Sequence, residues 1–275
     1  MGRTLLGVAG FPVAHSRSPA MHNAALAELG LDWLYVPVPL SPERFAQAVR
    51  ALPGSGFKGV NVTVPHKAAA HGLAHTRSRA AEAIGAANTL TFRPEGEIEA
   101  ENTDAGGLLD ALAQPVTGLR ALVLGAGGSA RAAVWALIEA GAAEVSVWNR
   151  TSARAAQLAS ELGARHVTRP GPADLLVNCT SVGLGGRVGV AEAHAALGLD
   201  AIDPPAIVVD LVYGEGPTPV VAWGRSGGSR VVEGLDVLVH QGARSLELWT
   251  GLDAPIETMR DAAIAAIDEK EAPRA

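Results

Sequence analysis

The chain has 275 residues and a mass of 28.1 kDa, which is long for one compact core and comfortable for two domains. Its formal net charge of −6 argues against nucleic acid or an anionic membrane as the main partner. A single cysteine excludes an internal disulfide framework, and no uncharged apolar run approaches the roughly 20 residues of a membrane helix. We therefore expect a cytoplasmic protein.

Apolar runs of strand length alternate with alanine-rich helical stretches along the chain. This alternation predicts an α/β protein with largely parallel sheets. In the first hundred residues the pattern predicts strands near 4–9, 33–39, 58–64 and 87–92. It predicts helices near 18–30 and 42–52, shorter helices after Pro65 and around 78–84, and a hairpin about Pro94 to Gly96.

The alternation becomes more regular from about residue 105, where a linking helix at 103–113 leads into a second block. In this block the apolar runs predict strands at 119–125, 143–149, 174–180 and 206–213. The helical stretches lie at 128–140, 151–162, 234–251 and 256–267.

The segment GAGGSA, residues 125–130, follows a predicted strand and opens a predicted helix. Gly125 permits the tight turn, Gly127 lets the backbone approach a pyrophosphate, and Ala130 allows the helix to pack closely on the strand. The free amides at the helix start favour an anion. We predict a dinucleotide-binding loop in a Rossmann-type, doubly wound domain; the alternative is a glycine-rich loop without a ligand.

The next predicted strand indicates which dinucleotide binds. An NAD site expects Asp or Glu at the end of this strand, where it binds the ribose 2′-hydroxyl. Here the strand ends in Asn149, Arg150 and Thr151, and its only acid, Glu144, lies at the beginning. Arg154 follows one turn later. Because guanidinium binds phosphate through parallel hydrogen bonds, NADP is favoured, although Arg154 could also be an ordinary solvated helix residue.

Several polar residues of the first block are placed where they could bind a small anion. Ser16 and Ser18 precede a helix that begins near Pro19, and hydroxyls with open amides at a helix start suit a carboxylate. Ser18 is equally well explained as a helix N-cap. Asn88 lies inside a predicted strand, where asparagine needs partners for its amide. Asp104 opens the linking helix, so a cap is the alternative for it too.

The segment GVNVTVPHK combines a strand with one of only three lysines among the 22 basic residues. Asn61 and Thr63 share one face of this strand because alternate side chains point the same way, and Lys67 follows at its end. His71 and His75 have the i, i+4 spacing of a helical metal site, but no third ligand is apparent. We predict no metal site.

Taken together, these segments resemble one family closely. GFPVAHSRSPAMHN, GVNVTVPHK, IGAANTL, ENTDAGG, GAGGSARA, NRTSAR, NCTSVG and GLDVLVHQGARSLELWTG occur in the order typical of shikimate dehydrogenases. The resemblance extends from Gly7 to about Ile267. It implies a substrate domain of residues 1–104 with 238–275, to which the C-terminal helices return, and an NADP-binding Rossmann domain of residues 105–237.

The resemblance implies a role for each matching position. Lys67 and Asp104 look like the catalytic pair. The substrate-binding residues would be Ser16, Ser18, Thr63, Asn88, Tyr213 and Gln241. The NADP-binding residues would be Gly125, Ala126, Gly127, Gly128, Ser129, Asn149, Arg150, Thr151, Arg154, Thr180, Ser181, Leu211 and Gly234. The partners would be the small molecules shikimate and 3-dehydroshikimate, and a homodimer is compatible with the sequence.

The implied reaction explains why a lysine stands at position 67. A ketone that is reduced needs hydride at carbon and a proton at oxygen; lysine can supply this proton, whereas an arginine guanidinium stays charged. The nearest alternative is a quinate/shikimate dehydrogenase with a roomier pocket or use of NAD. A non-catalytic sensor of the same ligands is another, although such a protein would tolerate the loss of Lys67 or Asp104. A generic hydroxy-acid dehydrogenase would not explain Ser16, Ser18, Asn88 and Gln241 together.

Overall fold

The computed structural model describes residues 3–185, 188–214 and 216–271. The chain separates into two compact units, Met1–Gly107 with Val239–Ala275, and Leu108–Leu238. Among the described residues, no helix is both long enough and apolar enough to cross a membrane. The assignment of substrate to the first unit and of NADP to the second stays a prediction at this point.

The strands form two sheets, one in each unit. In chain order the strands are β1 Thr4–Gly10, β2 Trp33–Pro39, β3 Phe57–Val62, β4 Thr76–Arg77, β5 Thr89–Phe92, β6 Ile98–Glu101, β7 Arg120–Leu124, β8 Glu144–Trp148, β9 Arg165–His166, β10 Leu175–Asn178, β11 Ile207–Asp210 and β12 Arg230–Glu233. The first sheet has the order β2-β1-β3-β5-β6-β4 and the second β12-β11-β10-β7-β8-β9.

The helices alternate with these strands. In chain order they are α1 Ser18–Glu28, α2 Pro42–Ala51, α3 Lys67–Leu73, α4 Arg79–Ile84, α5 Thr103–Leu112, α6 Gly128–Glu139, α7 Ser152–Leu162, α8 Val190–Leu197, α9 Pro219–Ser226, α10 Gly234–Thr250 and α11 Ile256–Glu271. The α/β fold class is confirmed. Two of the helices, α5 and α10, connect the units, because each begins in one unit and ends in the other.

The first sheet is mixed. Strands β1, β2 and β3 are parallel, β5 is antiparallel to both β3 and β6, and the short β4 is parallel to β6. The carboxyl ends of β1 and β3 therefore lie side by side. The loops that carry Ser16 and Thr63 start from these two ends.

The second sheet is parallel throughout. Its strand order is that of a doubly wound nucleotide-binding fold: β8 and β9 follow β7 on one side, β10, β11 and β12 follow on the other, and the strand order reverses between β7 and β10. In such sheets ligands bind outside the carboxyl ends of the strands at this reversal. Strand β7 ends directly before Gly125 and β10 directly before Cys179, so both predicted cofactor loops start at that point.

The C-terminal helices return to the first unit, as predicted. Helix α11 packs against α1, where Met21 and Met259 are fully buried. Gly242 on α10 faces both methionines, because a Cβ placed there would lie 2.3 Å from Met21 Cε and 3.4 Å from Met259 Cε. The missing side chain therefore allows α10 to approach α1 and α11.

Some predicted boundaries are wrong by one or two residues in ways that matter for the site. Strand β3 ends at Val62, before Thr63, and β5 begins at Thr89, so Asn88 lies just outside the strand. The backbone of Asn88 is still paired on both sides, to Val62 N and Glu101 O. The short elements α8, α9 and β12 were not predicted, since eight- and four-residue segments give little periodic signal.

Candidate active site

The predicted catalytic pair is in contact in the first unit. Lys67 is the first residue of α3, and its Nζ donates to Asp104 Oδ2 over 2.6 Å. The side chains of Lys67 and Asp104 are 12% and 18% exposed, so the pair is sheltered and still reachable from solvent. Asp104 lies in the first turn of α5, where the helix amides favour negative charge.

Asn88 fixes the other side of the Asp104 carboxylate. Its Nδ2 donates to Asp104 Oδ1 over 2.8 Å, and its Oδ1 accepts from the backbone N–H of Thr103 at 2.7 Å. Because a backbone N–H can only donate, this second bond determines which way the carboxamide faces. Both oxygens of Asp104 thus accept hydrogen bonds, an arrangement that suits an ionised carboxylate.

The cap of α5 is Asn102 and not Asp104. Asn102 Oδ1 accepts from Ala105 N at 3.3 Å, and Asn102 Nδ2 donates to Ala86 O over 2.9 Å. Since an N-cap side chain accepts from the N–H three residues later, Asn102 has the position and the bond of a cap. The carboxylate of Asp104 is therefore left to Lys67 and Asn88.

Gln241 reaches this group from α10. Its Oε1 lies 3.1 Å from Asn88 Nδ2, although the two residues are 153 positions apart in the chain. Gly107 on α5 permits this approach, because a Cβ there would lie 2.6 Å from Gln241 N. Gly106 has the same relation to Arg244, whose guanidinium would be 2.5 Å away. The two glycines of the ENTDAGG segment thus let α10 lie against α5.

The predicted serines lie on the loop after β1. Ser16 Oγ accepts from Ser18 N at 3.2 Å, and Ser18 is buried as the first residue of α1. The N-cap position belongs to Arg17, so the interpretation of Ser18 as a cap is wrong. Thr63 lies beside the end of β1, from which this loop starts: its N–H donates to Ala9 O over 2.9 Å. A Cβ at Gly10 would lie 2.4 Å from the Thr63 methyl, so glycine is needed there.

The glycine loop of the second unit has the geometry that its sequence predicts. Gly125 has a positive φ of 114°, and a Cβ there would lie 3.1 Å from Cys179 O. Gly127 is the extended N-cap of α6, with open space where a Cβ would be. Gly128 and Ser129 form the first turn of α6. The amides of a helix start favour an anion.

A cavity at the carboxyl ends of β7, β8 and β10 is lined by many of the predicted cofactor residues. These are Gly125, Ala126, Gly127, Asn149, Arg150, Thr180 and Ser181. Sequence reasoning missed other lining residues. Cys179 and Val182 could have been found within the NCTSVG segment, whereas Ala196 and Leu197 come from the unpredicted helix α8.

The two predicted phosphate-binding arginines are exposed. Among the described residues, neither Arg150 nor Arg154 forms an ion pair. Asn149 Nδ2 donates to Thr151 O over 3.0 Å and thereby holds the turn that carries Arg150. Thr151 is the N-cap of α7, so this helix begins one residue later than predicted. Two guanidinium groups at this turn are suited to a phosphate.

A buried polar cluster that sequence reasoning missed holds the loops after β10 and β11. Asn178 Oδ1 accepts from both the N–H and the hydroxyl of Thr180, at 3.1 and 2.8 Å. Asn178 Nδ2 donates to Asp210 Oδ1 over 2.8 Å, and Asp210 also accepts from Val212 N and the Thr218 hydroxyl. Burial raises the pKa of Asp210 to about 6, against the effect of these donors. The sequence signal that could have revealed this cluster is an aspartate, Asp210, at the end of an otherwise apolar strand.

The remaining predicted residues of this unit lie near the end of β11. A Cβ at Gly234 would be 2.6 Å from Leu211 O, so the structure brings these two predicted cofactor positions together. Tyr213 follows β11 in the second unit and is half-buried. Its role in substrate binding stays a prediction.

His71 and His75 do not lie on one helix, although their i, i+4 spacing predicted this. Helix α3 ends at Leu73, because Ala74 is extended, and His75 lies beyond the helix. His75 Nδ1 accepts from Ile98 N at 2.9 Å, whereas His71 Nε2 lies 3.6 Å from Glu82. Within the described ranges no group of three or more metal-ligating side chains occurs.

Three family descriptions match successive parts of the chain. "Shikimate dehydrogenase substrate binding domain" matches residues 8–90. "Shikimate / quinate 5-dehydrogenase" matches residues 108–175, and "Shikimate 5'-dehydrogenase C-terminal domain" matches residues 234–264. The matched regions include the Lys67 segment, the glycine loop and Gln241.

Individual relatives cover nearly the whole chain. Shikimate dehydrogenase (NADP(+)) of Anaeromyxobacter dehalogenans strain 2CP-C is 45% identical over 271 residues, covering 92% of this chain and 94% of the relative. The enzyme of the same name from Paracoccus denitrificans is 42% identical, with 90% of each chain covered. The crystal structure of shikimate 5-dehydrogenase from Thermus thermophilus in complex with NADP(H) and shikimate has a TM-score of 0.84 at 39% identity, covering 96% of this chain and 99% of the other. The chain belongs to the shikimate dehydrogenase family.

Proposed function

We propose that this protein catalyses the reversible NADP-dependent reduction of 3-dehydroshikimate to shikimate, a step towards chorismate and the aromatic amino acids. The observation that carries the proposal is the contact of Lys67 with Asp104 at 2.6 Å, with Asn88 fixing the second carboxylate oxygen. The curated relatives share this activity by name over nearly their whole length.

Lys67 handles the proton of the reaction. Bound NADPH supplies the hydride for the carbonyl carbon. The Lys67 ammonium donates a proton to the oxygen that gains charge, and in the oxidative direction the neutral amine takes the proton of the shikimate hydroxyl. A lysine ammonium has three N–H donors, so the bond to Asp104 does not exclude a second partner. Asp104 orients the ammonium, and Asn88 orients Asp104.

The polar residues around the pair would hold the substrate. Ser16, Ser18 and Tyr213 are proposed for the carboxylate, and Thr63, Asn88 and Gln241 for the ring hydroxyls. The adjacency of the loops after β1 and β3 supports the grouping of Ser16 and Ser18 with Thr63 in one site, since Phe11 N donates to Val64 O over 3.1 Å. The contact of Gln241 with Asn88 supports the second.

The second unit fits NADP better than NAD. Glu144 lies at the start of β8 and pairs with Arg165 at 3.0 Å, so it is not placed to bind a ribose at the other end of the strand. Asn149, Arg150, Thr151 and Arg154 stand at that other end. A guanidinium there binds the 2′-phosphate, while the amides of the glycine loop bind the pyrophosphate.

An absorbance assay of dinucleotide reduction tests the proposal. We expect turnover with shikimate and NADP to exceed that with quinate, and that with NAD, in kcat/KM. Comparable values for quinate or NAD would favour the relaxed quinate/shikimate enzyme. Binding of shikimate without any reduction of NADP would support a ligand-binding regulator and refute the catalytic role.

The oligomeric state and the location in the cell stay predictions. A homodimer is expected to show twice the chain mass in light scattering during gel filtration. A cytoplasmic protein is expected in the supernatant after lysed cells are cleared of membranes.

A further inference from the structure

Three hydroxyl groups meet behind the candidate active site. Thr89 Oγ1, Thr103 Oγ1 and Ser245 Oγ form a triangle with sides of 3.0, 3.1 and 3.2 Å. The three residues are 1%, 3% and 0% exposed. They come from β5, α5 and α10, so the hydroxyl cluster joins three elements that are distant in the chain.

The hydroxyl cluster contacts both ends of the Asn88 carboxamide. Asn88 Nδ2 donates to Thr103 Oγ1 over 2.9 Å, and the hydroxyls of Thr89 and Thr103 each lie 3.2 Å from Asn88 Oδ1. The same Nδ2 donates to Asp104, as described above. The orientation of this amide therefore depends on the hydroxyl cluster on one side and determines the carboxylate on the other.

A second carboxamide enters the hydroxyl cluster from the opposite side. Asn61 Nδ2 donates to Ser245 Oγ over 2.7 Å and lies 3.1 Å from Thr89 Oγ1. Asn61 Oδ1 accepts from the Tyr35 hydroxyl at 2.8 Å. A buried polar group without a partner is costly, so removal of one hydroxyl forces the neighbouring amides and hydroxyls to reorganise.

We propose that Ser245, Thr89 and Thr103 are positioning residues, which hold the Asn88 carboxamide and through it the Asp104 carboxylate in the orientation that Lys67 needs. The inference rests on the proposed function. It gives α10 a part in catalysis that is separate from substrate binding by Gln241. Ser245 also donates to Gln241 O over 3.0 Å, so both residues sit on the same turn of that helix.

Substitutions that remove one hydroxyl and little else test the proposal. For Ser245→Ala we expect kcat to fall about tenfold while KM for shikimate changes by less than about threefold, because the geometry of the reacting groups is disturbed more than binding. Thr89→Val should act in the same way, and Thr89→Ser, which keeps the hydroxyl, should restore most of the turnover. Thr91→Val on the same strand is the control and should leave kcat unchanged.

A double-mutant cycle separates positioning from general packing. If Ser245 acts through Asn88, then Ser245→Ala should lower kcat no further in the Asn88→Ala background. Equal losses in Thr89→Val and Thr89→Ser, or additive losses in the double mutant, would overturn the inference. If Ser245→Ala does not fold, as judged by circular dichroism, the comparison of Thr89→Val with Thr89→Ser tests the inference instead.

The same experiments distinguish the two proposals. An unaltered protein that does not reduce NADP with shikimate would refute the proposed function itself. An active unaltered protein with normal kcat in both Ser245→Ala and Thr89→Val would refute only the positioning role.

Discussion

The ammonium of Lys67 lies in a chain in which nearly every other basic residue is arginine. An arginine at this position could still pair with the carboxylate of Asp104, but it would not release a proton at neutral pH. The amine is therefore required for proton transfer and not for charge alone. At the scale of single residues, the need for an amine that can release a proton distinguishes position 67 from the positions of the exposed arginines.

Substitution of Lys67 should lower turnover strongly without unfolding the protein. For Lys67→Ala we expect kcat to fall by about 10²–10⁴, with a smaller change in KM, because general acid–base catalysis contributes that much. Lys67→Arg should lose turnover too, since it keeps the charge without the titratable amine. The matched control is Lys58→Arg, because Lys58 lies over the Trp33 ring at 5.7 Å, away from the pair. Near-normal kcat in either Lys67 variant would remove this residue from the mechanism.

The two arginines after β8 should decide between the dinucleotides. For Arg150→Ala we expect KM for NADP to rise by about 10- to 100-fold, since a hydrogen bond to a charged group contributes about 1.5–3 kcal/mol. Turnover with NAD should change little, because NAD lacks the 2′-phosphate. Arg165→Ala, which removes the partner of Glu144, serves as the control in steady-state assays. Parallel losses for NADP and NAD would contradict a phosphate contact.

At the scale of elements, one face of α10 follows three consecutive residues around the start of β5, Asn88 to Leu90. Gln241, Ser245 and Trp249 are four residues apart and therefore share a helix face. Gln241 contacts Asn88, Ser245 contacts Thr89, and Trp249 Nε1 donates to Leu90 O over 3.2 Å. Gly59 makes room for the tryptophan, because a Cβ there would lie 2.2 Å from Trp249 Nε1. This register ties the position of the helix to that of the catalytic pair.

A methyl group between α5 and α10 should therefore impair both stability and turnover. For Gly107→Ala we expect a loss of about 1–3 kcal/mol in the free energy of unfolding, as in other overpacked sites. The added Cβ would collide with the Gln241 backbone, so kcat/KM for shikimate should also fall. Gly72→Ala is the matched control, because this helical glycine has no atom within 4 Å of a Cβ. Urea unfolding should show it unchanged or slightly stabilised.

At the scale of the whole molecule, two buried groups make stability depend on pH in opposite directions. Burial lowers the pKa of His22 to about 3, and neither ring nitrogen has a hydrogen-bond partner among the described residues. Its ring stacks on Tyr35 at 4.2 Å. As the pH falls below 6.5, His22 binds a proton in the unfolded chain but stays neutral in the folded protein. The contribution of His22 to the free energy of unfolding is therefore complete above pH 6.5 and is lost as the pH falls towards 3.

Asp210 has the reverse effect. Its pKa is raised from 3.8 to about 6, so the folded state holds a proton that the unfolded chain has already released. The stability from this group is complete below pH 3.8 and is lost as the pH rises through 6. Between pH 3.8 and 6 the effects of His22 and Asp210 on the free energy of unfolding partly cancel.

Replacement of His22 should flatten the acid side of the stability profile. For His22→Phe, which keeps a ring against Tyr35, we expect the loss of unfolding free energy between pH 7 and about pH 4.5 to shrink by about 2–3 kcal/mol. Urea titrations at the two pH values measure this difference. The exposed His15, replaced by glutamine, is the control and should leave the profile as it is. An unchanged pH dependence in His22→Phe would contradict the assignment.

Sequence alone determined the fold class, the glycine loop and the residue types of the site. Such features are local: apolar periodicity follows from the geometry of strands and helices, and Gly125 follows from a backbone angle that other residues rarely adopt. The absence of an acid at the end of β8 was equally visible, because one strand and one turn contain the whole signal.

Only the tertiary structure decided which polar groups act together. Asn102, and not Asp104, caps α5, and Ser245 meets Thr103 across 142 positions of the chain. No local pattern distinguishes a serine on a helix surface from one that completes a buried network. The partners of a side chain are fixed by the packing of distant elements, which here depends on the glycines that let α5, α10 and β3 approach one another.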